Sequence, residues 1–142
     1  MENDEQNKIA YLQMIQNTID RMSEKESIFK GFAITADVLL IDLLIKNNNI
    51  WLLFISIFII IFLWYHSAYF LHLERLYRIK YNKICDTDIV DFNMKPELLD
   101  NKTEIKIKNS FCSFSLFWFY FPIIIINSLI FFIFLIGGIY GS

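Results

Sequence analysis

Apolar positions along this chain gather into three long runs, with mixed-polarity stretches between them. The first, residues 28–45, is mostly apolar and just long enough to cross a hydrocarbon layer of about 30 Å as a helix. The second, from Ile50 to Leu63, carries no charge. It continues through aromatic and imidazole side chains into Glu74, Arg75, Arg78, Lys80 and Lys83. A single helix that leaves a bilayer core, crosses the headgroups and enters water has this profile. The third run, residues 111–139, is the longest, and Phe114, Phe117, Trp118, Phe119, Tyr120 and Phe121 form an interfacial aromatic belt at its start. Pro122 lacks an amide and frees a carbonyl one turn earlier, for which Ser113, Ser115 and Tyr120 are the nearby donors. Gly137-Gly138 and Gly141 are expected to end this helix. Asn47-Asn48-Asn49 reads as a tight polar turn, which makes the first two spans antiparallel.

Outside these runs the periodicity changes. Leu12, Ile15, Ile19 and Met22 follow helical 3-4-3 spacing, with Lys8, Gln13, Gln16, Asp20 and Arg21 around them. So narrow a seam predicts pairing with another cytoplasmic helix, of this chain or of a neighbouring copy, rather than a helix lying on the membrane. Ser23-Glu24-Lys25-Glu26 has capping-box form and predicts a break with a fresh helix start. Residues 85–110 are polar and hold the turn formers Asp86, Asp88, Pro96, Asp100 and Asn101. The alternation from Thr103 to Lys108 has no partner strand, so it reads as a connector. The expected architecture is all-α: a cytoplasmic amphipathic helix (1–27), a transmembrane hairpin with a cytoplasmic extension (28–84), a cytoplasmic connector (85–110) and a third transmembrane helix (111–142).

Composition agrees, and charge sets the orientation. Of 142 residues, 56% are hydrophobic and 18% aromatic, with 4 Gly and 2 Pro, an apolar excess over soluble domains. Twelve of the 13 Lys and Arg lie before the first run, at its inner edge (Lys30) or between the second and third, and Lys46 alone lies opposite. The positive-inside rule therefore predicts a cytoplasmic N-terminus and an external C-terminus. The acidic start, Glu2-Asn3-Asp4-Glu5, lacks the features of a signal peptide. Asn101-Lys102-Thr103 matches a glycosylation acceptor, but this orientation puts it on the cytoplasmic side. Cys85 and Cys112 fit no metal or redox spacing and are expected to be reduced, as small buried or interfacial side chains.

Asp37 stands out as candidate chemistry. It lies seven residues past Lys30, roughly 10 Å deep along a helix. An aspartate there costs about 2.5–3.5 kcal/mol on insertion scales, so it should face protein or water and have a partner. Asn127 lies at similar depth in the third run. Two readings stay open: a pore-lining or proton-sensitive carboxylate, or a protonated or amide-bonded aspartate that locks helix pairing. His66 and His72 are six residues apart and point in different directions on a helix, so they share no metal. Arg75, Arg78, Lys80 and Lys83, interleaved with Tyr77 and Tyr81, form a basic collar. It reads as an anchor to anionic headgroups or, more sharply, as a site for a nucleotide or a cytoplasmic partner. No nucleophile arrangement or phosphate-cradling loop is present in the sequence, so no enzyme, metal or cofactor is expected, nor direct nucleic-acid binding.

Two short patterns carry a resemblance. Arg21-Met22-Ser23-Glu24, running on to Phe29-Lys30-Gly31, precedes the first run. After the second come Tyr69, Leu71, Glu74-Arg75, Tyr77-Arg78, Tyr81 and Asp91-Phe92-Asn93-Met94. Together they resemble a family of small uncharacterised bacterial multi-pass membrane proteins. The layout is similar to that of SLATT-type membrane effectors of antiphage defence, from which the third span departs. The resemblance implies a self-associating protein of the bacterial inner membrane that permeabilises the bilayer when triggered from the cytoplasm. The alternative is a membrane anchor or scaffold that recruits a soluble partner.

Overall fold

The computed structural model describes residues 2–86 and 107–140, and every regular element in them is an α-helix. These are α1 (Glu2–Asn47), α2 (Trp51–Cys85), α3 (Ile107–Phe111) and α4 (Phe114–Tyr140). Helices α1 and α2 form a long antiparallel hairpin, and α3 and α4 pack against α2. Most of the connector, with Pro96 and the Asn101 acceptor, lies outside the described residues.

The break expected at Ser23 does not occur: α1 runs 46 residues without interruption. Glu26, cast as the partner of the Ser23 amide, instead sits 2.6 Å from Lys30 one turn onward. The reason lies in the buried stripe, which contains Tyr11, Ile15, Ile19, Glu26, Ala33, Asp37 and Leu44. Ile15, Glu26 and Asp37 stand eleven residues apart, as do Ala33 and Leu44. An eleven-residue repeat is about 3.67 residues per turn, close enough to the α-helical period to stay on one side of a nearly straight helix. Packing against α2 therefore continues through Ser23 and overrides the local capping option.

The bend at the end of α1 is built by its asparagines. Asn48 takes a positive φ of 50°, a conformation that asparagine tolerates better than most residues. Asn47 donates to the Leu43 carbonyl at 3.0 Å, and Asn49 Oδ1 accepts from the Trp51 amide at 3.1 Å. On α2, Leu53, Ser56, Ile60, Leu63 and Ser67 are buried at alternating spacings of three and four.

Two apolar clusters result. Nearer the bend, Ala33, Ile60, Leu63, Ala68, Leu116 and Tyr120 pack together, with Phe29, Trp64 and Ile123 against them. At the free end of the hairpin, Tyr11, Ile15, Ile19 and Ile84 cluster with Leu12, Tyr77 and Tyr81.

Helix α2 and residues Phe114–Ile136 of α4 are long and apolar enough to cross a membrane. The apolar part of α1 carries Lys30, Asp37 and Asp42 and does not qualify on composition. The third run also starts differently from expectation. Phe111 closes the short α3, the chain turns at Cys112, and α4 begins at Phe114. Helix α4 then continues through Gly137 and Gly138 to Tyr140. A helical glycine costs about 1 kcal/mol against alanine, which here weakens the helix without stopping it.

Candidate functional site

Three helices meet at one buried polar cluster. Asp37 of α1, Ser56 of α2 and Asn127 of α4 are 7%, 1% and 0% exposed. Ser56 donates its hydroxyl to Asp37 Oδ1 at 2.5 Å, and Asn127 Nδ2 donates to the same oxygen at 2.9 Å. The second Asn127 amide hydrogen goes to the Ile123 carbonyl at 3.0 Å. Since both neighbours of Nδ2 are acceptors, the amide orientation is fixed by the network. Asn127 Oδ1 consequently turns away from them, buried and without a donor. An unmet buried carbonyl of this kind costs about 1–3 kcal/mol.

The expected pairing of Asp37 with Asn127 at equal depth is thus present, and Ser56 joins it unannounced. A lone hydroxyl in an apolar run has no charge to draw the eye. The available signal was its position: Ser56 and Ser67 are the two serines between Trp51 and Ile84, a stretch without threonine, and both are buried.

A second polar layer lies toward the free end of the hairpin. Ser67 Oγ and Tyr120 Oη share a hydrogen bond of 2.8 Å, and Trp64 stacks between Phe111 and Tyr120, with centroids 5.1 and 5.7 Å away. Nearby, Lys30 binds Glu26 at 2.6 Å, donates to Ser115 Oγ at 3.2 Å and sits 5.7 Å from the Phe119 ring centroid. Ala33, Ile60 and Leu63 lie between the two layers. Eleven residues of α2 separate Ser56 from Ser67, about 16 Å along the helix. The polar groups of one copy are therefore two separate ties and do not form a continuous wire. Ser113, Ser115 and Tyr120, expected near the carbonyl freed by Pro122, are bonded to Arg75, Lys30 and Ser67 respectively.

The basic collar is largely engaged within the chain. Arg75 donates to Ser113 Oγ at 2.9 Å and also reaches the Asn109 carbonyl and Ser110 Oγ, at 3.4 and 3.5 Å. It therefore ties α2 to α3 and the start of α4. Arg78 pairs with Glu74 at 2.8 Å, and Lys80 lies 5.9 Å from the Tyr11 ring centroid. Lys83 stands in the last turn of α2. Tyr77 and Tyr81 pack against the free-end cluster. Burial raises the Tyr77 hydroxyl pKa, opposed in part by Arg21 and supported by Tyr11 and Tyr69.

Within the seam, Ile15 and Ile19 are buried and Leu12 packs against the same cluster, while Met22 is half-buried. The stripe also takes in Tyr11 and Thr18, and its partner is α2 of the same chain. Donation from His66 Nδ1 to the Phe62 carbonyl, 2.9 Å away, fits its ring among Phe29 and Phe62. Among the described residues, no group of three or more His, Cys, Asp and Glu is placed to hold a metal ion. Comparison with models of known families, with curated proteins and with solved structures finds no match.

Proposed function

We propose that the chain is a three-span membrane protein whose first span is the bend-proximal half of α1. Taken by face rather than by composition, that half suits lipid. Its outward residues include Ile28, Phe32, Ile34, Val38, Leu39, Leu43 and Ile45, whereas Asp37 turns inward. Outward hydroxyls bond their own helix: Thr35 to the Gly31 carbonyl at 3.0 Å, and Ser128 to the Ile124 carbonyl at 2.8 Å. A hydroxyl facing hydrocarbon is satisfied in this way. Only 11% of the apolar window of α4 and 33% of that of α2 are buried, so this chain leaves most of that surface for lipid or another apolar surface to cover. With about 20 residues needed to cross, the α2 span ends near Leu71 and the rest projects beyond it. The crowding of Lys and Arg on one side supports a cytoplasmic N-terminus.

Within that frame we propose that copies associate through their membrane faces and permeabilise the bilayer when the cytoplasmic end of the hairpin is engaged. The single observation that carries this reading is Asp37, an expensive mid-span carboxylate that a plain anchor does not need. One copy has no continuous polar path, so conduction requires several copies in which the Asp37–Ser56–Asn127 tie opens toward a shared axis. The seam is occupied within the chain, which assigns self-association to the apolar outer faces. The unbroken α1 connects the cytoplasmic end to the tie. The resemblance around residues 20–95 supplies the setting, antiphage defence at a bacterial inner membrane.

A potential-sensitive dye in expressing cells tests this reading. Depolarisation under triggering conditions is expected for the natural chain and its loss for Asp37→Leu, with Asp37→Asn intermediate. Unchanged potential in all three would sink it. The observation that favours the second reading, an anchor presenting a scaffold, is the self-contained two-helix stalk beyond Leu71. Under that reading Asp37→Leu changes only stability.

A further inference from the structure

We infer that α3 is a latch that clamps the start of α4 to α2, and that its release frees α4 to move. The consequence of release rests on the permeabilising reading, whereas the latch stands on contacts apart from the Asp37 cluster. Helix α3 has five residues, Ile107–Phe111, too few to hold itself by backbone hydrogen bonds. Its seat on α2 holds it. Ser110 is fully buried, and the Phe111 ring stacks on Trp64 with centroids 5.1 Å apart. Arg75 donates to the Asn109 carbonyl, to Ser110 Oγ and to Ser113 Oγ. The Ser113 carbonyl accepts from the Phe117 amide at 2.9 Å, which places Ser113 at the cap of α4. One guanidinium thus fixes α3, the turn after it and the entry to α4 together.

The seat is poised rather than locked. The three acceptors of Arg75 are neutral, whereas Arg78 and Lys30 hold the carboxylates of Glu74 and Glu26. Two of its three bonds are long, at 3.4 and 3.5 Å, and only the bond to Ser113 is short, at 2.9 Å. The seat also contains a stranded donor: Trp64 Nε1 lies buried without an acceptor, a cost that opening to water relieves. Position gives the latch its leverage. The chain enters α4 through α3, and only 11% of the apolar window of α4 is buried, so this helix leans lightly on the hairpin. Its other polar ties include Ser115 to Lys30, Tyr120 to Ser67 and, further along, Asn127 to Asp37. Because Asn127 belongs to α4, a helix released at its start loosens the Asp37 tie, the step that conduction requires.

The test is hydrogen exchange of the purified full chain in detergent micelles, followed at two protons. One is the Trp64 indole, and the other is the Ser113 amide, which bonds the Ser110 carbonyl at 3.1 Å. Arg75→Ala should speed exchange of both by about tenfold or more, the factor expected for losing a hydrogen bond to a charged group. Ser113→Ala, a milder change in case Arg75→Ala does not fold, removes the short bond alone and should speed the indole by less. Arg78→Ala breaks the neighbouring pair with Glu74 and should leave both protons as they are in the parent. Exchange in Arg75→Ala equal to that of the parent, or matched by Arg78→Ala, would overturn the latch. In cells, Arg75→Ala is expected to depolarise the membrane without a trigger. Faster exchange without that depolarisation would leave the latch standing and remove the permeabilising reading. Triggered depolarisation of the natural chain, with both protons unmoved by Arg75→Ala, would do the reverse.

Discussion

Toward its free end the α1–α2 hairpin buries Tyr11, Ile15, Ile19 and Ile84 and exposes Gln13, Gln16, Asp20 and Arg21. Toward its bend the same two helices bury Ser56, Asp37 and Ser67 among their apolar contacts and expose Phe32, Val38, Leu39, Phe54 and Phe58. The contrast is visible within one helical position. The eleven-residue series Ile15, Glu26, Asp37 faces the partner helix throughout, yet passes from aliphatic to acidic. At the free end, burying apolar surface stabilises pairing because water is the alternative. Near the bend, in the proposed membrane setting, lipid would solvate an aliphatic face as well as a helix does, and close packing and polar ties would then supply the pairing.

The largest expected effect comes from breaking the free-end half. Ile15 is fully buried, and Ile15→Ala should cost about 2–5 kcal/mol through lost burial and the cavity left behind. Amide hydrogen exchange would read this as faster opening of residues 5–22 and 76–84, with residues 30–44 unchanged. Equal loss of protection at both ends would mean that the hairpin behaves as one cooperative unit and that the contrast is not an energetic one.

A smaller effect is expected in the other half. Asn127→Leu removes one of two donors to Asp37 Oδ1 and should cost about 1 kcal/mol, since measured hydrogen bonds in membranes average about 0.6 kcal/mol and reach 1.7. The double change Asp37→Leu with Asn127→Leu should recover stability relative to Asn127→Leu, because replacing both partners leaves no buried carboxyl oxygen short of a donor. Unfolding titrations in mixed micelles would measure both. A double variant less stable than either single one would show that the cluster contributes more than hydrogen bonding.

The same contrast explains what could be read from the chain beforehand. Equal expected depth alone brought Asp37 and Asn127 together on paper, because in an apolar run read as a span a polar residue is rare and its partner has few places to be. The two apolar helices and the Asn47–Asn49 bend follow just as directly from composition. Ser56 went unseen because a hydroxyl is cheap enough in an apolar run to look incidental. Ser23–Glu26 misled for the opposite reason: a strong local capping pattern lost to tertiary packing that continues across it. The basic collar looked free because sequence spacing shows Arg78 near Glu74 but cannot show Arg75 reaching Ser113 in the turn between α3 and α4. Whether α1 crosses the membrane depends on where Asp37 and Lys30 point, which composition does not hold.

The smallest effect sharpens the comparison at the free end, where a titrating group sits in a mostly apolar contact. Tyr77 packs against Tyr11, Ile15, Ile19 and Ile84, and burial lifts its pKa above the ordinary 10.0. Folding therefore favours the neutral phenol. The stability this provides is complete below about pH 10, the unfolded value, and is lost as pH rises through the higher folded pKa. Arg21 works against the shift, so Arg21→Ala should steepen the alkaline loss and Tyr77→Phe should flatten it. Protection of the free-end amides, compared between variants across that pH range, separates Tyr77 from the tyrosines left unchanged. Should Tyr77→Phe follow the parent at every pH, its hydroxyl would have to be solvated in the folded chain, and the free-end cluster would be looser than its burial implies.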